Sequence, residues 1–234
     1  MSDAIPTTLA LAPGGLARAG WSLCLRPGDV LLAVDGRAFT GTAEDLALRF
    51  PMTLAEPPVV LTFLRGDVVF SVFAATPALG QWDPVALPVG QTLPEPPAGP
   101  AQNWVVMRDG AGLFEVLDQT PPLLALIAAP LWLLQMRLWL TLATHAATLA
   151  VAGVVSPWLA LPLYAALSLH LWRRGPRILL SERRIAGAIP VAFLAAATEA
   201  EAVATFLRLD PAAQYRWGSK AAGPAAQDPD TALA

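Results

Sequence analysis

The stretch AAPLWLLQMRLWLTL, Ala128 to Leu142, lies in the most apolar part of the chain and carries a single charge, Arg137. Arg137 is either the midpoint of one long apolar helix or the junction between two shorter ones, and the choice decides the fold. One helix from Pro122 to Gly153 would bury the guanidinium at its centre. That costs about 2.5–3.5 kcal/mol even on a lenient insertion scale, and no acid between Asp118 and Glu182 could pair with it. The junction reading is therefore preferred. An apolar segment broken by Pro130 precedes Arg137 and is expected as an interfacial helix over 122–136; a third span there is the alternative. After Arg137 come Leu138–Val155, a Ser156-Pro157 turn and Trp158–Trp172, which leads into Arg173-Arg174. Both runs are near the lower limit of about 17–25 residues for a spanning helix. The expectation is a transmembrane hairpin of helices 138–155 and 158–172. Arg137, Trp139, Trp172, Arg173 and Arg174 would be its interfacial, topogenic anchors. His145 falls inside the first run as an intramembrane polar residue.

Composition points the same way. Of 234 residues, 55% are hydrophobic and 14% charged, with a mean hydropathy of +0.52; a soluble domain has roughly 25% charged. Residues 1–120 carry 6 Arg against 12 Asp and Glu, whereas residues 121–234 carry 9 basic and 6 acidic side chains. An acidic half thus precedes a basic, apolar one. Arg outnumbers Lys 14 to 1, the signature of a GC-rich bacterial genome. A net charge of −3 and the lack of a basic, aromatic-interleaved stripe exclude nucleic acid as a partner. The lone Cys24 excludes an intramolecular disulfide and a Cys-based metal site. The N-terminus has no basic n-region and no long apolar run, so it does not read as a secretory signal. With the positive-inside rule, this places both termini in the cytoplasm of a multi-pass protein of the bacterial inner membrane.

Ahead of the apolar half, LRPGDVLLAVDGRAF (Leu25–Phe39) shows a Pro27-Gly28 turn, a strand over Val30–Val34 and a tight turn at Asp35-Gly36. Thr42 with Asp45 three residues on is an N-cap pair, and Leu46 and Phe50 share one face of the helix it opens. Strands are expected at 59–65 and 68–75, joined across Gly66-Asp67. The order is strand, helix, strand, strand.

These residues, with Ala19-Gly20, Leu25–Gly36, Asp45-Leu46 and Leu61–Gly66 as the matching positions, resemble the PDZ family in its bacterial form. The resemblance implies an α+β fold whose head, residues 5–77, is a small partly open β-barrel. An extended peptide or C-terminus of a protein partner would add to it as a strand beside the helix. Helix positions Ala43, Ala47 and Phe50 would line that groove. The sequence departs from the family pattern in two places: WSLC (Trp21–Cys24) is inserted, and the carboxylate-binding loop has only APGGL as a loose counterpart.

Residues 78–103 are rich in proline and read as a semi-rigid linker. Beyond them, Arg108-Asp109-Gly110, Pro130–Leu134, Arg137–Trp139 and TEAEAVATFL (Thr198–Leu207) occur in order. This series resembles the bacterial membrane proteins grouped as domain of unknown function 2628. That resemblance implies a membrane domain over 104–208 and no reaction. Its short cytoplasmic tail, 185–208, holds a strand-like segment and a helix from Glu199 to Leu207, capped by Thr198 with Glu201. Residues 209–234 are expected to be disordered.

No catalytic motif stands out. There is no H-E-x-x-H, G-x-S-x-G, P-loop or G-x-G-x-x-G, and His145 and His170 lie at different depths of the expected hairpin. The expectation is no enzyme, no metal and no cofactor. It is instead a membrane-anchored adaptor or assembly factor whose head binds a protein partner at the lipid bilayer. The alternative is a small membrane helper subunit or transporter-like component acting through its hairpin, with the head as a passive cap. Oligomeric state is left open.

Overall fold

The structure, a computed structural model, describes residues 7–51, 57–87 and 100–218. The first part runs β1 (Thr7–Leu16), α1 (Arg18–Ser22), β2 (Val30–Val34), β3 (Arg37–Ala38), α2 (Ala43–Ala47), β4 (Val59–Arg65), β5 (Val68–Ala74) and β6 (Gly80–Ala86). These strands form one sheet in the order β5-β4-β2-β1-β6, with β3 paired to β2. The local signals act as expected. Thr42 and Asp45 close a reciprocal capping box at the start of α2. Gly66, in the left-handed region at φ +62°, turns β4 into β5, and alternate residues of β5 (Val68, Phe70, Val72, Ala74) are buried.

The second part runs β7 (Gln102–Arg108), β8 (Leu113–Asp118), α3 (Leu123–Ile127), α4 (Ala129–Gln135), α5 (Trp139–Val155), α6 (Pro157–Ile185), β9 (Ile189–Ala196), α7 (Glu199–Leu209) and β10 (Gln214–Tyr215). Its sheet is ordered β10-β8-β7-β9. The turn from β7 to β8 is set by Asp109, whose Oδ1 accepts from the N–H groups of Ala111 and Leu113, both at 3.0 Å. This sheet is covered on both faces. Trp104, Val106, Phe114 and Val116 join a core shared with the first sheet and α7. Val105, Met107 and Leu117 pack with Ala129, Trp132, Leu133, Leu171 and Leu179 of the helices. A strand buried on both faces reads as a continuous apolar run, as Trp104–Met107 of β7 do.

The corner at Arg137 has a definite geometry. Leu138 N–H donates to Leu133 O at 2.9 Å and Arg137 N–H to Leu134 O at 3.0 Å, which closes α4 in a Schellman motif. Arg137 occupies the left-handed position at φ +54°, where glycine is usual. Leu133 and Leu138, both fully buried, supply the accompanying apolar contact. The end of α6 is built the same way around Gly187 at φ +88°, with Ala188 N–H on Arg183 O and Gly187 N–H on Arg184 O. Cys24 (φ +56°) closes α1 likewise, so the WSLC insertion supplies the end of that one-turn helix and its stop. Arg137 is exposed, with its guanidinium 5.8 Å from the Trp217 ring centroid.

The membrane half of the expectation is overturned. Among the described residues no helix is long and apolar enough to cross a membrane. Helix α5 has 17 residues, about 26 Å against a hydrocarbon core of about 30 Å. Helix α6 does not stop at Trp172 but runs on through Arg173, Arg174, Arg177, Glu182, Arg183 and Arg184. The transmembrane helices 138–155 and 158–172 are therefore not supported, nor is a multi-pass inner-membrane protein with cytoplasmic termini. The topogenic roles of Arg137, Trp139, Trp172, Arg173 and Arg174 fall with them. The interfacial helix of 122–136 is two short helices, α3 and α4, that cover the second sheet. The tail of 185–208 supplies an edge strand and a helix to that sheet. The outer end of the α5–α6 hairpin leaves Val154 and Trp158 89% exposed.

The linker expected at 78–103 contains β6 and the first residues of β7; residues 88–99 lie outside the described residues. So does the expected disordered end from 219 onward. Before it, β10 pairs with β8 and Arg216 reaches Asp109 at 2.6 Å.

Candidate functional site

The residues that carry the first resemblance are structural. Asp29, 1% exposed, ends the Pro27-Gly28 turn and receives Arg65 Nε and Nη2, each at 2.7 Å, and Arg26 N–H at 2.8 Å. Arg65 also donates to Cys24 O at 3.2 Å and lies 4.9 Å from the Phe70 ring centroid. One buried carboxylate thus joins β2, β4 and the end of α1. Gly20 permits a close approach here: a Cβ on it would lie 2.2 Å from Leu79 O. That carbonyl accepts from Ala17 N–H at 2.9 Å, so α1 fixes the chain just before β6.

Strand β6 follows from that clamp. It pairs antiparallel with β1 from Thr7↔Ala86 to Leu11↔Trp82, and among the described residues it pairs with no other strand. Trp82 turns inward, its ring nearly parallel to Phe63 (6.4 Å between centroids, 2° between planes) and its Nε1–H on Pro77 O at 3.4 Å. Gln81, Asp83, Pro84 and Ala86 are exposed. Pro84 is tolerated because the strand is an edge. The opposite edge strand, β5, lies against β9, so among the described residues β6 is the open edge of the first sheet.

Helix α2 follows a contact to β1 on the side of that strand away from β6: Gly41 N–H donates to Thr7 O at 3.2 Å. Of the groove positions expected on α2, Ala43 and Ala47 are exposed and share a face, whereas Phe50 is buried in the core with Leu46. The Thr42 backbone and hydroxyl both donate to Asp45 and hold its carboxyl below the usual carboxylate range. The residues Gln81–Ala86 were hidden in the sequence by the surrounding prolines. The alternation in GQWDPVA was the available signal.

The remaining expected residues do not converge on this edge. His145 is 5% exposed in α5, its Nε2 without a hydrogen-bond partner among the described residues, with Tyr164 of α6 edge-on at 6.1 Å between ring centroids. Burial pushes its pKa down. Arg174 and His170 line a shallow hollow on α6 with Arg177 and Ser181. Trp139, Arg173 and Arg174 are exposed and Trp172 is half-buried. Among the described residues no three His, Cys, Asp or Glu side chains gather where they could hold a metal ion.

A separate cavity of about 530 Å³ opens where the second sheet meets α3, α4 and α6. Trp104, Leu117, Trp132 and Leu179 wall it, with Asp118 and Glu199 among its lining residues. No sequence motif marked it. Its residues come from six elements and meet only in the fold.

Comparison of the chain with protein-family models, with curated proteins and with solved structures gave no match.

Proposed function

We propose that residues 7–87 are a peptide-binding module of the PDZ type, and that the chain acts as an adaptor. An extended segment of a partner protein would add as a further strand on the open edge of β6. The observation that carries the reading is that edge, held rigid by the Trp82–Phe63 stack and the α1 clamp. An unpaired edge presents a row of N–H and C=O groups to any extended chain, and strand addition draws its affinity from those groups. The resemblance assigns the exposed Ala43–Ala47 face of α2 to the groove, where it would meet the side chains of the added strand. The resemblance in Leu25–Gly36 and Leu61–Gly66 supports the same reading, although the residues carrying it work as scaffold. The second sheet and its helices form the platform on which the module is packed.

Selection of displayed random peptides, with free and with blocked C-termini, on the full-length protein tests this. Peptides that bind the wild type should lose binding to Ala47→Trp, which obstructs the α2 side, and to Ala86→Pro, which removes an outward-facing backbone donor from the edge. Selected peptides that bind both variants as well as the wild type would refute the proposal, as would a selection that yields none.

A further inference from the structure

The cavity between the second sheet and the helices belongs to a different part of the molecule from the β6 edge, and its chemistry is specific. At about 530 Å³ it falls within the usual range of small-molecule pockets, about 300–1,000 Å³. Its walls are apolar and fixed before any ligand arrives. Trp104 is pinned by its Nε1–H on Ala196 O at 3.1 Å. Trp132 lies so close to Gly175 that a Cβ there would be 3.0 Å from its ring. Pro121, Pro122 and Pro176 stiffen the remainder of the lining.

The charges in the lining have one sign: Asp118 and Glu199 are present, and no Lys, Arg or His is. The sheet explains why both acids are at one place. Asp118 ends β8 opposite Trp104, near the start of β7, and Glu199 opens α7 just after β9 pairs Ala196 with Gln102. Three strand ends therefore bring the two carboxylates to the same end of the sheet. Each has one oxygen engaged, Asp118 Oδ1 by Thr120 N–H at 2.8 Å and Glu199 Oε1 by the Tyr215 hydroxyl. Among the described residues the other oxygen of each carries no hydrogen bond.

We propose that this cavity binds a small organic cation, an ammonium or amidinium group on a flat apolar body. The cationic head would donate to Asp118 and Glu199 in charge-assisted bonds, and the body would lie along the apolar lining, which includes Trp104 and Trp132. A neutral ligand of the same shape would leave the two carboxylates without a cationic partner, and an anion would be repelled.

Calorimetric titration of the full-length protein with 2-naphthylmethylammonium, and with the matched 2-naphthylmethanol and 2-naphthoate, tests this. The ammonium should saturate one site, and the alcohol and the carboxylate should bind at least about tenfold more weakly, the scale of one charge-assisted contact. Asp118→Asn and Glu199→Gln should each weaken the ammonium about fivefold or more. Thr120→Trp, at the exposed rim, should abolish binding with the thermal unfolding midpoint unchanged. Equal affinity for alcohol and ammonium would overturn the proposal. So would an unchanged affinity in the Asp118→Asn/Glu199→Gln double variant, or no saturation by the ammonium.

Discussion

Replacing Asp29 by alanine tests whether the most recognisable motif of the chain is scaffold. The carboxylate is 1% exposed and holds two guanidinium nitrogens of Arg65 at 2.7 Å and the Arg26 N–H at 2.8 Å, while Arg65 is 19% exposed. Deleting one partner of a buried pair costs about 3–5 kcal/mol, because the other charge is left without compensation. The partial exposure of Arg65 puts Asp29→Ala at the lower end, about 3 kcal/mol. Asp29→Asn keeps the size and an acceptor for Arg26 and should cost about 2 kcal/mol, the value of hydrogen bonds to a charged group. The double variant Asp29→Ala/Arg65→Met removes both charges and should return to within about 1–2 kcal/mol of the wild type. Hydrogen exchange of the β2 and β4 amides, which reports the opening of this sheet, gives all three values and the coupling between the two sites. A loss under about 1 kcal/mol for Asp29→Ala, or a double variant no better than the single one, would refute the reasoning.

Three further outcomes follow from the helix corners and the hairpin. At Arg137, in the left-handed region, Arg137→Val should lower stability by about 1–2 kcal/mol. Arg137→Gly should stay within about 0.5 kcal/mol, since relief of the backbone is offset by unfolded-state entropy and by the lost Trp217 contact; urea midpoints decide. Glu182 of α6 accepts from the Thr141 N–H at 2.9 Å and from its hydroxyl, capping α5 from across the hairpin. Glu182→Ala should therefore cost about 1 kcal/mol in the same assay. The pKa of His145 is pushed down by burial, so the unfolded chain binds the proton more readily. Stability should be full above pH about 6.5, the unfolded value, and decline as pH falls from there toward the depressed folded pKa. His145→Leu should abolish the decline, read as the change in urea midpoint between neutral and mildly acidic pH.

Local chemistry was legible in the sequence, and the partners of each segment were not. The Thr42–Asp45 box, the Gly66-Asp67 turn and the Thr198 cap each depend on residues within four positions, and each folds as read. Arg137 was correctly kept out of the core, but for a different reason: it ends α4 in a left-handed turn at φ +54°, with no lipid interface involved. The membrane reading failed because apolar density does not say what covers it. The apolar residues of 121–136 meet Val105, Met107 and Leu117, and that sheet lay partly hidden in a segment read as linker. Strand β7 buries Trp104–Met107 on both faces, a pattern that periodicity alone does not separate from a buried helix. The open edge at β6 was masked by Pro84. The cavity could not be read at all, since Asp118 and Glu199 are 81 positions apart.

The central claim is strand addition at β6, and amide hydrogen exchange of the full-length protein with and without a selected peptide measures it most directly. The account predicts new protection at the amides of Trp82 and Ala86, which face the open edge, with the amides of β5 unchanged. Protection confined to the α5–α6 hairpin or to β9, with β6 exchanging as in the free protein, would contradict it.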